Sequence, residues 1–204
     1  MSIWYGANVA DESELRLCGD VAGKRVIELG IPAHATSLTP DAVTPNSVTA
    51  AVAGAKAIAL DPSPHAIAAV RAAADRAEVK VQCHQGDLAD LGFATSASVD
   101  LVVASHTLAG VDDLPRLLRQ VHRVLKPGSA FVVAMTHPIA SMFASNDRTA
   151  TAAYGVNSTT FTELFMSFER SNFRLDVVHE LNDHRVRDPL CPSVLVVRAR
   201  KQGD

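Results

Sequence analysis

Three short segments put carboxylates and a glycine where a sheet protein can hold a ligand: Val26-Ile27-Glu28-Leu29-Gly30, Ala59-Leu60-Asp61, and Gln85-Gly86-Asp87-Leu88. Each closes, or lies just beyond, an apolar run of strand length. In open α/β sheets, ligands bind outside the carboxyl ends of the strands, near the point where the strand order reverses. A carboxylate at Asp61 can accept two hydrogen bonds from a ribose diol, a pairing that no neutral side chain matches. Its alternative role is to cap the turn before Ser63. Asp87 can accept from an adenine amino group or cap its own turn. Two histidines, His106 and His137, follow later apolar runs. A neutral imidazole there can take a proton near pH 7, and a structural histidine is the alternative for both.

These residues need strands to present them. The runs with strand character are Arg25–Leu29, Ala57–Leu60, Val79–Gln82, Val99–Ala104 and Ala130–Met135. Each is almost continuously apolar, as expected where helices cover both faces of a parallel sheet. Helical patterns fill the gaps. Ser63-Pro64 is an N-cap with proline at the first helical position, opening a helix to Ala77. Asp112-Asp113 opens another, with Leu114, Leu117, Leu118, Val121, Val124 and Leu125 at helical spacing, and Lys126-Pro127-Gly128 stops it. Thr160 and Glu163 form a capping box ahead of Phe161, Leu164, Phe165 and Phe168. Two strands, Phe173–Glu180 and Ser193–Ala199, follow with no helix between them, so they can pair antiparallel. The pattern is one α/β domain with a doubly wound, mostly parallel sheet.

Composition limits the classes. The chain has 204 residues, 48% hydrophobic and 20% charged, which suits a folded domain. A net charge of −3 gives no electrostatic reason to expect nucleic acid or an anionic membrane as partner. The N-terminus lacks the basic and apolar regions of a signal peptide. Cys18, Cys83 and Cys191 are isolated and lack metal-ligand spacing, so the expectation is reduced thiols in a cytoplasmic protein.

The order and spacing of these segments resemble the class I S-adenosylmethionine-dependent methyltransferases, in particular the small bacterial enzymes of the methyltransferase type 11 family. The matching text is Gly23–Gly30, Ala59-Leu60-Asp61-Pro62-Ser63, Gln85-Gly86-Asp87-Leu88, Val99–Val103, His106-Thr107-Leu108, Asp112-Asp113-Leu114 and Val124-Leu125-Lys126-Pro127-Gly128. Tyr5-Gly6 and Glu12–Leu15 resemble that subgroup's N-terminal helix region. The resemblance implies a Rossmann-like sheet of seven strands with the last one antiparallel. It implies S-adenosyl-L-methionine as methyl donor and a small-molecule acceptor. By that resemblance Glu28 and Gly30 shape the methionine site, Asp61-Pro62 holds the ribose, Asp87 and Leu88 flank the adenine, and Ser105 lies beneath the donor. Tyr5 and Asn46 complete the expected donor-binding set, with His106 and His137 as the catalytic candidates. The implied organisation is an N-terminal cover (1–22), a donor-binding core (23–136), an acceptor cover (137–158), and a helix with the final strand pair (159–204). Trp4 and Tyr5 can either fold over the donor as a lid or pack into the core.

One loop departs from the family pattern. After Gly30 come Ile31-Pro32-Ala33-His34, without further glycines, and Asp61 follows Gly30 by 31 residues. Pro32 has no backbone N–H, and Ala33 resists positive φ, so a close-approach turn is disfavoured. The expectation is that Ile31–Val43 bulges as a mobile loop. Two readings therefore remain: an active methyltransferase, or a catalytically silent relative that binds a ligand or partner. A nicotinamide oxidoreductase is disfavoured because no G-x-G-x-x-G follows the first strand.

Overall fold

The computed structural model describes residues 2–36, 43–144 and 148–203. Seven strands form one sheet: β1 (Arg25–Leu29), β2 (Lys56–Asp61), β3 (Val81–Gln85), β4 (Val99–Ser105), β5 (Leu125–Thr136), β6 (Phe173–Leu181) and β7 (Val194–Lys201). Their order is β3-β2-β1-β4-β5-β7-β6. The first five are parallel, and β7 inserts antiparallel between β5 and β6. The chain runs outward from β1 through β2 to β3, then crosses back to place β4 on the other side of β1. The topological switch point therefore lies between β1 and β4, and a crevice is expected beyond their carboxyl ends.

The helices begin as the sequence predicts. In α4 (Pro64–Arg76), the Ser63 hydroxyl accepts the Ala66 N–H at 3.3 Å, and Pro64 occupies the first position. Asp113 caps α5 (Leu114–Val124) through the Arg116 N–H at 2.8 Å. Both halves of the Thr160–Glu163 capping box form at the start of α6 (Phe161–Arg170). α6 buries Leu164 and Phe168 in the core, where Phe168, Phe131 and Phe173 meet ring to ring.

Two strands start more than one residue away from expectation. β3 begins at Val81 rather than Val79, because Glu78 takes a left-handed turn (φ 54°) after α4 and Val79 still bonds back to Ala74. β5 begins at Leu125, directly after α5. Its pairing with β4 slips between Val99 and Leu101, so Lys126–Ser129 protrude as an irregularity within the strand.

The expectation of a loose, bulging segment at Ile31–Val43 is corrected over its described part. Ala33–Thr36 form a helical turn, α2. Ile31 and Ala35 are buried against Val48, Ala59, Ala66 and Val70. The Val43 N–H closes the segment onto the His34 carbonyl at 3.0 Å. Apolar burial, absent from the glycine-based comparison, holds this end in place. Residues 37–42 of that expectation lie outside the described residues. A short helix α3 (Asn46–Val52) follows and leads into β2.

Candidate functional site

At the end of β1, Gly30 turns with φ +73°, and a Cβ there would lie 2.4 Å from the Thr107 side chain. Glycine is therefore required twice, by backbone conformation and by contact. Three neighbours pin the turn. The Gly30 N–H donates to the Leu60 carbonyl at 2.8 Å. The Ile31 N–H donates to Asp61 Oδ2 at 2.7 Å. The Thr107 hydroxyl donates to the Leu29 carbonyl at 2.6 Å. Asp61 Oδ1 accepts the Ser63 N–H at 2.7 Å. Asp61 thus performs its capping role, yet each carboxylate oxygen takes only one N–H and keeps a lone pair. Pro62 beside it is exposed.

Glu28 is fully buried, and its two oxygens accept the Asn46 and Ser47 N–H groups at 2.9 and 2.7 Å. It sets the start of α3. Burial raises its pKa to about 7; the Asn46 and Ser47 N–H groups oppose that rise, and the nearby Asp61 adds to it. The Ser47 hydroxyl is buried and makes no hydrogen bond.

Asn46 gives its side chain to the N-terminal segment. Its Oδ1 accepts the Trp4 N–H at 2.7 Å, and its Nδ2 donates to the Trp4 carbonyl at 3.0 Å and to Ser105 Oγ at 3.1 Å. The Ser105 hydroxyl in turn donates to the Trp4 carbonyl at 2.9 Å. The peptide groups of Trp4 are thereby strapped across the ends of β1 and β4. The Trp4 indole meets two imidazoles, His34 at 5.4 Å and His106 at 5.6 Å.

His106 sits in the left-handed region (φ 58°) just after β4. Its Nε2 lies 2.8 Å from the Tyr5 carbonyl, which can only accept, so Nε2 carries the proton and Nδ1 is the basic atom. Burial lowers its pKa, the His34 charge adds to that, and the Tyr5 carbonyl opposes it. His106 is therefore neutral around pH 7.

The remaining sequence candidates lie elsewhere or are already engaged. The Tyr5 ring is buried in the core; its hydroxyl donates to Glu12 Oε2 at 2.6 Å and touches Cys18. Burial, then Cys18 and Glu12, raise its pKa, which keeps the phenol protonated. Tyr5 contributes its carbonyl to the site, while its side chain secures the N-terminal segment. Asp87 performs its turn-capping role through the Ala89 N–H at 2.9 Å, and its other oxygen meets Arg116 at 3.1 Å. Leu88 is buried in the main core cluster.

His137 directly follows β5. It is completely buried, with Nε2 2.9 Å from Glu180 on β6 and Nδ1 accepting the Ile139 N–H at 3.3 Å. Both nitrogens are engaged in hydrogen bonds. His34 and Thr107 are the residues that sequence reasoning left out of the site. Their positions depend on the packing of α2 and of the turn after β4.

Comparison with known proteins supports the same family. Residues 43–133 match the methyltransferase domain model. An S-adenosylmethionine-dependent methyltransferase from Mesorhizobium loti is 25% identical, with a TM-score of 0.71 over 91% of this chain and 94% of that one. A putative S-adenosylmethionine-dependent methyltransferase from Listeria monocytogenes shares the fold at 17% identity and a TM-score of 0.71, over 92% of this chain and 94% of that one. The mitochondrial arginine-hydroxylase NDUFAF5 of Danio rerio is 40% identical over 58 residues, which is 28% of this chain and 18% of that protein. The chain thus spans less than a fifth of the length of the curated relatives it matches. Residues 43–133, a little under half of the chain, match the methyltransferase domain family, and the whole chain shares the fold of solved class I S-adenosylmethionine-dependent methyltransferases.

Proposed function

We propose that the chain transfers a methyl group from S-adenosylmethionine to a small-molecule acceptor in the cytoplasm. The observation that carries this reading is Asp61, held at the end of β2 beside the Gly30 turn with one lone pair free on each oxygen. That chemistry fits a ribose diol, and Asp61 would hold it. The Gly30 turn and Ser105 at the switch point would border the methionine end. The donor, when bound, supplies an electrophilic methyl group on a sulfonium. His106 Nδ1 would take the acceptor's proton, since the imidazole is neutral and its tautomer is set by the Tyr5 carbonyl. Residues 137–158, which follow β5, would cover the acceptor with Met142, Phe143 and Tyr154. The three free cysteines support a reducing compartment.

A catalytically silent relative is the second reading. It is favoured by the Asn46 and Ser105 side chains, both engaged by the backbone of Trp4. Calorimetric titration of S-adenosylmethionine and S-adenosylhomocysteine into the intact protein and into Asp61→Asn decides between them. Saturable binding, weakened by about 1.5–3 kcal/mol in the variant, is expected for a hydrogen bond to a charged group. Absence of binding to the wild type leaves the silent reading. Equal binding by a folded Asp61→Asn removes Asp61 from the site.

A further inference from the structure

At the opposite pole from the Gly30 turn, the amino ends of the parallel strands border a cleft of about 640 Å³. Arg25, Lys56, Lys80 and Lys126 line it, and Asp100 is the one carboxylate among the described residues of its lining. Asp100 is engaged by the Arg25 N–H at 2.9 Å and by Lys126. Among the described residues, Arg25, Lys56 and Lys80 face no carboxylate within ion-pair distance. Arg25 reaches only the Ser98 hydroxyl, at 3.3 Å. A second cleft of about 420 Å³ adjoins the first at Asp100 and adds Arg16, Lys24, Arg198 and Arg200. Asp176 bridges the last two. A chain with a formal net charge of −3 thus gathers eight cations and one lining carboxylate at one pole.

We infer that the cleft lined by Arg25, Lys56, Lys80 and Lys126 binds an oligophosphate, either free or as the phosphate tail of a nucleotide. Unpaired cations held around a concavity raise the local concentration of an anionic ligand, and the field is focused by the cleft walls. The lysines act as point charges on phosphate oxygens, and Arg25 adds a planar fork. Asp100 strengthens the arrangement despite its own charge, because it holds Lys126 at the rim. The lining discriminates between anions. No aromatic residue borders either cleft, so there is no platform for stacking the bases of a single strand. Nor is there an aromatic anchor of the kind that dominates protein interfaces. What remains is recognition of clustered negative charge in a space of nucleotide size.

The test is a calorimetric titration of inorganic tripolyphosphate, ATP and a short RNA duplex at physiological ionic strength. The proteins are the wild type and the Lys56→Glu/Lys80→Glu double variant, with Lys56→Gln/Lys80→Gln as the milder pair. Both lysines are exposed and far from the Gly30 turn, so circular dichroism should be unchanged. Saturable one-to-one binding of tripolyphosphate is expected, about tenfold or more weaker in the double variant. ATP binding as tightly as tripolyphosphate identifies a phosphate-only site, and tighter ATP binding identifies a nucleotide as the natural ligand. No saturable tripolyphosphate binding, or equal binding by folded variants, overturns the inference. RNA binding much more tightly than both small ligands overturns it in favour of a nucleic-acid surface. A loss of melting temperature with no change in binding also overturns it, since the cations would then serve only the carboxyl ends of the neighbouring helices.

Discussion

At the residue scale, two titrations link the site to pH. His106 has its pKa held below the ordinary histidine value, chiefly by burial. If its Nδ1 takes the acceptor's proton, the rate rises with pH through that lowered pKa and is level by neutrality. His106→Gln should lose the acidic limb and about 10²–10⁴-fold in kcat, while binding of S-adenosylhomocysteine is kept. An unaltered pH profile in the variant removes the histidine from the proton transfer. Glu28 is shifted the other way: its folded pKa of about 7 exceeds the ordinary carboxylate value. Between about 4.5 and 7 the folded state therefore binds more protons than the unfolded one, and stability falls as pH rises across that window. Glu28→Gln should flatten the dependence. It should also cost about 1–3 kcal/mol, because one buried N–H of Asn46 or Ser47 then loses its acceptor. Denaturant melts at several pH values read both effects.

At the element scale, the N-terminal segment is positioned by side chains from other elements. Glu12 accepts the Tyr5 hydroxyl together with the Leu17, Cys18 and Gly19 N–H groups, which folds residues 5–19 around one carboxylate. Asn46, at the start of α3, clasps both peptide groups of Trp4. Glu28 holds the start of α3 in turn, so β1 positions Trp4 through two relays. Asn46→Ala should release the strap at a cost of about 1–3 kcal/mol, the range for leaving buried groups unpaired. The measurement is the emission of Trp4, the chain's one tryptophan. A red shift and easier quenching are expected on loss of the strap, and an unchanged spectrum contradicts its dependence on Asn46.

At the scale of the whole molecule, the segment after Gly30 belongs to the core as much as to the site. Ile31 and Ala35 are 6% and 8% exposed, packed on β2, α3 and α4. Replacing Ile31–Val43 with a short glycine turn should therefore destabilise the protein. Loss of the buried Ile31 side chain alone costs about 1.5–3 kcal/mol. Donor affinity should not rise, because burial of the Ile31 side chain is what fixes the backbone N–H that orients Asp61 Oδ2. A thermal melt and a titration of S-adenosylhomocysteine check the two halves. A shortened chain that melts at the wild-type temperature and binds more tightly refutes this account.

The sequence by itself determined the elements and much of their order. Continuous apolar runs made β1, β2, β4 and β5 legible as covered parallel strands, and local capping chemistry at Ser63, Asp113 and Thr160 marked where helices begin. Those signals are short-range, written in neighbouring residues, so they survive without knowledge of the fold. β3 starts two residues later than its apolar pattern suggests, because it is an edge strand with polar residues and Val79 belongs to the junction with α4. Positions were legible where a strand end decides them, as for Asp61 and Gly30. His106 and His137 look alike in sequence, each following an apolar strand. Their difference comes from partners dozens of residues away, the Tyr5 carbonyl in one case and Glu180 in the other. Long-range contacts likewise packed the start of the glycine-poor insertion, Ile31–Thr36, into the core, placed Thr107 against Gly30, and strapped Trp4 to Asn46. The net charge of −3 concealed the basic pole, since a sum carries no positions and only the tertiary structure gathers eight cations at one end of the sheet.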